Sequence, residues 1–231
     1  MDILTLDTYY LPIFLAMLIL SFWAQSRVKK VFNRFAQTQV SSGMRSEQVV
    51  QALLSSRGYP MQIKQVNGAL TDHYNPKTEE VGLSAQVYGS NSISAVAVAA
   101  HEVGHVIQYQ EGFGPIRLRN AILPVASFAS QASPWLVILG VMLGSFNLAM
   151  VGVVLFGAML AFQLVTLPVE FNASSRALRM LEEGCYITYK ESDAAKKVLQ
   201  AAAMTYVLAT LSVLISFLRL LSIASRTRRR Q

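Results

Sequence analysis

Charged residues are unevenly distributed along the chain. None occurs from Asn120 to Val169. Fifty uncharged residues suffice for two membrane-crossing helices at roughly 20 residues each. The pattern predicts a helical hairpin with limbs Ile122–Leu143 and Leu148–Leu167, turning at Gly144-Ser145-Phe146-Asn147. Pro124, Gln131 and Pro134 interrupt the first limb. Gly140 and Gly144 make a GxxxG pair, a weak signal because glycine is common in such helices. Shorter uncharged runs cover Thr8–Ser26 and Val198–Leu218. The first has an acidic leader and is followed by Arg27-Val28-Lys29-Lys30, so it reads as an uncleaved anchor rather than a signal peptide. Tyr9, Tyr10 and Trp23 suit its interfaces. Arg219, late in the last run, can snorkel to the membrane edge.

Residues 31–120 have ordinary soluble composition. Ser46–Arg57 carries Val49, Val50, Leu53 and Leu54 at helical spacing, with Ser46 as its N-cap. Met61–Val66 reads as a strand before an Asn67-Gly68 turn, and Leu70 as the start of a second strand. His73–Lys77 reads as a turn and Glu80–Tyr88 as a third strand. That third strand is either an edge that holds an extended substrate by strand addition or an ordinary member of a small sheet. Ser92–Gln110 is a strong helix pattern stopped by Gly112, Gly114 and Pro115.

Composition narrows the class. The chain is 53% hydrophobic and 14% charged, against about 25% charged in soluble domains. Its net charge of +7 comes with basic residues that flank the apolar runs, as membrane anchors do. No motif with interleaved aromatics points to nucleic acid. The single cysteine, Cys185, excludes an internal disulfide.

The chemistry centres on His101-Glu102-Val103-Gly104-His105. On a helix, positions i and i+4 share a face, so two imidazoles can bind one Zn²⁺. Glu102 lies beside them and can take a proton from a zinc-activated water, then pass it to the leaving amine. Two of only three histidines fall here, after the apolar run Ala95–Ala100. Such polar groups on a buried helix need partners, and a metal supplies one. A catalytic zinc has three protein ligands and an open position. Glu170, just after Pro168 at the end of the hairpin, suits the two-histidine, one-carboxylate template better than His73. The plainer reading of Glu170 is a carboxylate favoured at a helix start. Hydrolysis also needs a donor for the developing oxyanion, for which His73, Asn172 and Arg176 are candidates. Their plainer readings are a turn histidine, a surface amide and a membrane anchor.

Asn91–His105 and Thr166–Ser174, together with Asp72-His73-Tyr74-Asn75-Pro76, resemble the YugP-type neutral zinc metallopeptidases, bacterial multi-pass membrane proteins. The resemblance covers nearly the whole chain. HtpX and CAAX-processing membrane proteases are more distantly similar. They share the HExxH motif, a membrane hairpin and a Glu-(Phe/Tyr)-x-Ala-Asp pattern. The resemblance implies His101, His105 and Glu170 as zinc ligands and Glu102 as the base. Ser174 stands where the distant relatives have an aspartate that would orient a histidine; a serine hydroxyl does this more weakly.

The expected architecture is a mainly α membrane protein. It has about four transmembrane helices and a small α+β zincin-like (gluzincin) catalytic domain. Its segments are an anchor (1–26), the catalytic domain (27–120), the hairpin (121–169), the third-ligand segment (170–200) and a last span with a basic tail (201–231). Eleven Lys and Arg residues near the membrane ends on the catalytic side place the site in the cytoplasm, at a plasma membrane. The tail residues Arg226, Arg228, Arg229 and Arg230 dissent if the last run spans, but agree if it is a short re-entrant segment. The expected partners are a protein or peptide substrate and the lipid bilayer. Two rivals are weaker. An inactive zinc-binding scaffold would normally use four ligands. A transporter would place ionisable groups within its spans.

Overall fold

The computed structural model describes residues 3–228, with side chains for 10–227. Asp2, Arg229 and Arg230, and the side chains of Tyr9 and Arg228, lie outside the described residues. Among the described residues, six helices and three strands follow one another in the order α1 (Ile3–Phe35), α2 (Ser46–Ser55), β1 (Gln62–Val66), β2 (His73–Asn75), β3 (Glu80–Ser84), α3 (Ile93–Gln110), α4 (Gly114–Met142), α5 (Phe146–Glu183) and α6 (Tyr189–Arg228). Among the described residues, four stretches are long and apolar enough to cross a membrane: Tyr10–Phe35, Gly114–Met142, Phe146–Glu183 and Tyr189–Thr227. The protein is a helical membrane protein with a small α+β part. Its contacts divide it into two compact units.

One unit comprises Met1–Trp23, Gly114–Pro168 and Thr205–Gln231. The hairpin limbs α4 and α5 meet through small residues. A Cβ on Gly140 would overlap the Ala149 nitrogen, and one on Gly152 would lie 2.9 Å from that of Val137. The Ser133 hydroxyl donates to the Gly152 carbonyl at 2.8 Å. Gly140 thus serves close approach, whereas Gly144 sits in the turn with φ +64°. Val137, Ala149, Val153 and Ala224 form the buried centre of this unit. Phe128, Trp135 and Val154 are exposed, as suits a surface solvated by lipid. The Arg219 guanidinium stacks 3.7 Å from the Tyr10 ring centroid, a cation–π contact that shelters its charge. The last apolar run belongs to one continuous 40-residue helix, the form of a full span rather than a short re-entrant segment. α4 begins at Gly114, earlier than the apolar pattern implies, and Pro115 lies in its first turn, where its missing N–H costs nothing.

The other unit comprises Ala24–Phe113 and Val169–Met204. Its sheet has the order β1-β3-β2, with β1 parallel and β2 antiparallel to β3. β3 is therefore the central strand, and it ends at Ser84 rather than Tyr88. The edges are β1 and β2, and β2 is formed by residues whose His-Tyr-Asn-Pro sequence reads as a turn. Leu70 lies outside any strand, with φ +58°. Val81 and Leu83 of β3 are fully buried in a core with Val49, Val50, Leu53 and Leu54 of α2 and Val96 and Val103 of α3. Each such side chain contributes about 1.5–3 kcal/mol by leaving water. On the other face, a Cβ on Gly82 would lie 2.6 Å from the His73 ring, so a side chain there would have to displace that imidazole. Helix α2 is capped differently from the sequence expectation. Arg45 is the N-cap residue, and its N–H donates to Gln48 Oε1 at 2.9 Å. Ser46 is buried and donates instead to the Val87 carbonyl at 2.6 Å. Helix α3 begins as expected, with Ser92 Oγ accepting from the Ala95 N–H at 3.2 Å.

Candidate metal centre

Glycine inside a helix costs about 1 kcal/mol relative to alanine unless something else requires it. At position 104 the requirement is a helix crossing. A Cβ there would lie 2.6 Å from the Ala173 carbonyl oxygen of α5. The contact lies beside both histidines of α3 and one turn after Glu170 on α5. Gly104→Ala is expected to cost about 1–3 kcal/mol by overpacking, although alanine is the better helix former. Thermal unfolding of the purified protein reads this directly. A midpoint at or above that of wild type would contradict the reading.

Among the described residues, His101, His105 and Glu170 form a group whose ligand atoms all lie within 4.8 Å of one another. Glu170 Oε2 is 3.3 Å from His101 Nε2 and 3.7 Å from His105 Nε2. The two imidazoles stand edge to face, 4.7 Å between centroids. The Glu170 side chain is only 4% exposed, and its Oε2 is buried without a hydrogen-bond partner. A buried carboxylate oxygen left unpaired is costly. A cation between the three groups removes that cost. Ligands about 2.0–2.1 Å from a tetrahedral centre stand about 3.3–3.4 Å apart, close to the spacing seen. Two imidazole nitrogens and one carboxylate oxygen are a donor set that suits zinc, so the residues present fit the metal.

The far sides of both rings are also held. His105 Nδ1 is 3.0 Å from Gln108 Oε1. Gln108 is fully buried, and its Nε2 donates to the Val169 carbonyl at 2.8 Å and to Asn172 Oδ1 at 2.9 Å. With its amide nitrogen so engaged, Gln108 presents its oxygen to His105. The His105 proton therefore sits on Nδ1, and the Nε2 lone pair faces Glu170 and its neighbours. His101 Nδ1 lies 3.1 Å from Ser174 Oγ. Asn172 Oδ1 also accepts from Arg176 Nε at 2.7 Å, and Arg176 Nη1 donates to Glu111 at 2.7 Å. The structure thus brings Ser174, Asn172 and Arg176 behind the histidines and does not bring His73 there. His73 lies over Gly82, with Nδ1 2.9 Å from the Thr71 carbonyl.

Glu102 is 6% exposed. Burial pushes its carboxyl above the ordinary range, against the pull of His105 and His101, and the charge of Asp72 adds to the rise. Burial alone would lower His105, but the carboxylates of Glu170 and Glu102 outweigh it and hold the imidazole above its usual value. Sequence reasoning missed Gln108 and Gly104. The available signals were an amide three residues after a ligand histidine and a glycine inside a strong helix.

A family model described as "Putative neutral zinc metallopeptidase" matches residues 10–225. The chain belongs to that family. It is also 46% identical, over 210 residues, to the "Putative membrane protease YugP" of Bacillus subtilis (strain 168), covering 90% of this chain and 93% of that protein. No solved structure matches. Membership of a zinc metallopeptidase family agrees with the donor set found between α3 and α5.

Proposed function

We propose that this chain is an integral-membrane zinc metalloendopeptidase of the gluzincin type. On this reading it hydrolyses peptide bonds of membrane or membrane-associated proteins, through a zincin-like domain built from residues 27–120 and 170–200. The observation that carries the proposal is the unpaired, buried Oε2 of Glu170 facing two imidazole nitrogens whose opposite sides are already held. His101, His105 and Glu170 would hold zinc through Nε2, Nε2 and Oε2. Zinc supplies, when bound, a Lewis acid that brings the pKa of water to about 7. Glu102 accepts the proton of the attacking water at its carboxylate and returns it to the leaving amine. Its burial supports this role, because a carboxylate raised above the ordinary range takes up a proton more readily. Gln108 and Ser174 keep the two rings from turning. Three protein ligands leave a position open for catalysis, whereas a purely structural zinc would normally have four.

The eleven Lys and Arg residues beside the catalytic segments support a cytoplasmic active site at the plasma membrane, outnumbering the four arginines of the tail, which count against it once the last run spans. The proposal is tested by metal removal. The purified protein should cleave casein or a panel of membrane-protein substrates, lose cleavage on treatment with 1,10-phenanthroline, and regain it when zinc is returned. Cleavage that survives complete removal of zinc would overturn it.

A further inference from the structure

Amide hydrolysis turns the carbonyl oxygen into an oxyanion, which needs a preorganised donor. Of the three sequence candidates, His73 has its ring over Gly82, and Asn172 and Arg176 are tied to Gln108 and to each other behind His105. We infer that the residue after His73, Tyr74, is the catalytic residue whose hydroxyl donates to the oxyanion of the scissile carbonyl. This inference rests on the protease reading above.

Strand alternation decides which way Tyr74 faces. It pairs with Val81, and His73 pairs with Gly82. Paired residues share a face, and successive residues take opposite faces. Tyr74 therefore lies on the face that Val81 packs against α2 and α3. There its ring meets Tyr109 edge to face, with centroids 6.0 Å apart. Tyr109 lies one turn beyond His105 on α3, and long side chains on a helix lean back toward the preceding turn. β2 thus runs along the side of α3 that carries the HExxH residues, and it is one of the two edges of the sheet.

The Tyr74 Oη is buried and has no hydrogen-bond partner. Buried hydroxyls are normally paired, and one left unpaired calls for an explanation. A purely structural position would be served as well by phenylalanine. Burial, with the charge of Glu79 and the neighbouring Tyr109, also pushes the phenol up to about 12, so it keeps its proton to donate at neutral pH. A donor waiting for an acceptor that appears only during the reaction accounts for both the burial and the missing partner.

The test compares full-length, zinc-loaded wild type with Tyr74→Phe. It measures kcat and KM for a casein-derived peptide, zinc content, the melting midpoint, and affinity for a phosphinic peptide of the same sequence, which mimics the tetrahedral oxyanion. Tyr74→Phe is expected to lower kcat by about 10²–10³-fold, with KM nearly unchanged. The phosphinic peptide should weaken by a similar factor. Zinc content should stay the same, and the melting midpoint should hold or rise, because an unpaired buried hydroxyl has been removed. A kcat within about threefold of wild type would overturn the inference. So would a fall in kcat that merely follows lost zinc or a lowered midpoint. If wild type shows no zinc-dependent cleavage, the protease reading itself has failed, and this inference falls with it.

Discussion

Glu102→Gln is expected to lower peptide cleavage by about 10²–10⁴-fold while leaving the metal in place. The substitution is nearly isosteric, so the packing of a residue only 6% exposed should survive it. What it removes is a carboxylate able to accept and return a proton. Glu102 is not among the three groups that face one another across the site, so zinc content should match wild type. The measurement is metal content beside cleavage of the same substrates by protein purified identically. Full zinc with activity near the detection limit is the expected pair of results. Undiminished activity would show that the cleavage comes from a contaminating protease or uses another base.

Glu170→Ala is expected to act on the metal first and on activity only as a consequence. Loss of a partner that merely orients a ligand typically costs about 10–100-fold in metal affinity. Glu170 would be a ligand itself, so zinc should weaken by more than about 100-fold. Alanine is the best helix former, and position 170 lies inside the long helix α5, so the backbone should be unharmed. The two histidines would remain 4.7 Å apart with no anion between them. Competition with a chromogenic chelator reads the affinity. Retained tight zinc would mean that some other residue completes the site, and that the unpaired oxygen of Glu170 has a different cause.

Much of this site could be read from the chain before any coordinates. Two histidines at i and i+4 on an apolar helix carry their geometry with them. Glu170 stood out because it is the first charge after fifty residues without one. The hairpin was legible for the same reason. The misreadings have physical causes. Asn75-Pro76 signals a turn strongly, yet three residues before the proline pair with β3, because tertiary pairing can hold a strand too short to show a period. That error also hid which strand is central, since edge or centre depends on partners far away in sequence. Ser46 has good capping chemistry, but its hydroxyl gains more from the buried Val87 carbonyl. The apolar runs marked only part of α1, α5 and α6, whose polar ends continue as helix into the unit that holds His101, His105 and Glu170. Gln108 was invisible because nothing local distinguishes a buried amide from an exposed one.

The groups behind the two histidines are a hydroxyl and a carboxamide, and neither carries a charge. Carboxylates in those places would raise the basicity of the imidazoles and bind the metal more firmly. A neutral backing draws less electron density through the rings toward the ion. Zinc held this way would keep more of its own electrophilicity and leave more easily. On the protease reading, the protein would then gain reactivity at the expense of retention, and its occupancy would follow the zinc supply of the compartment it faces.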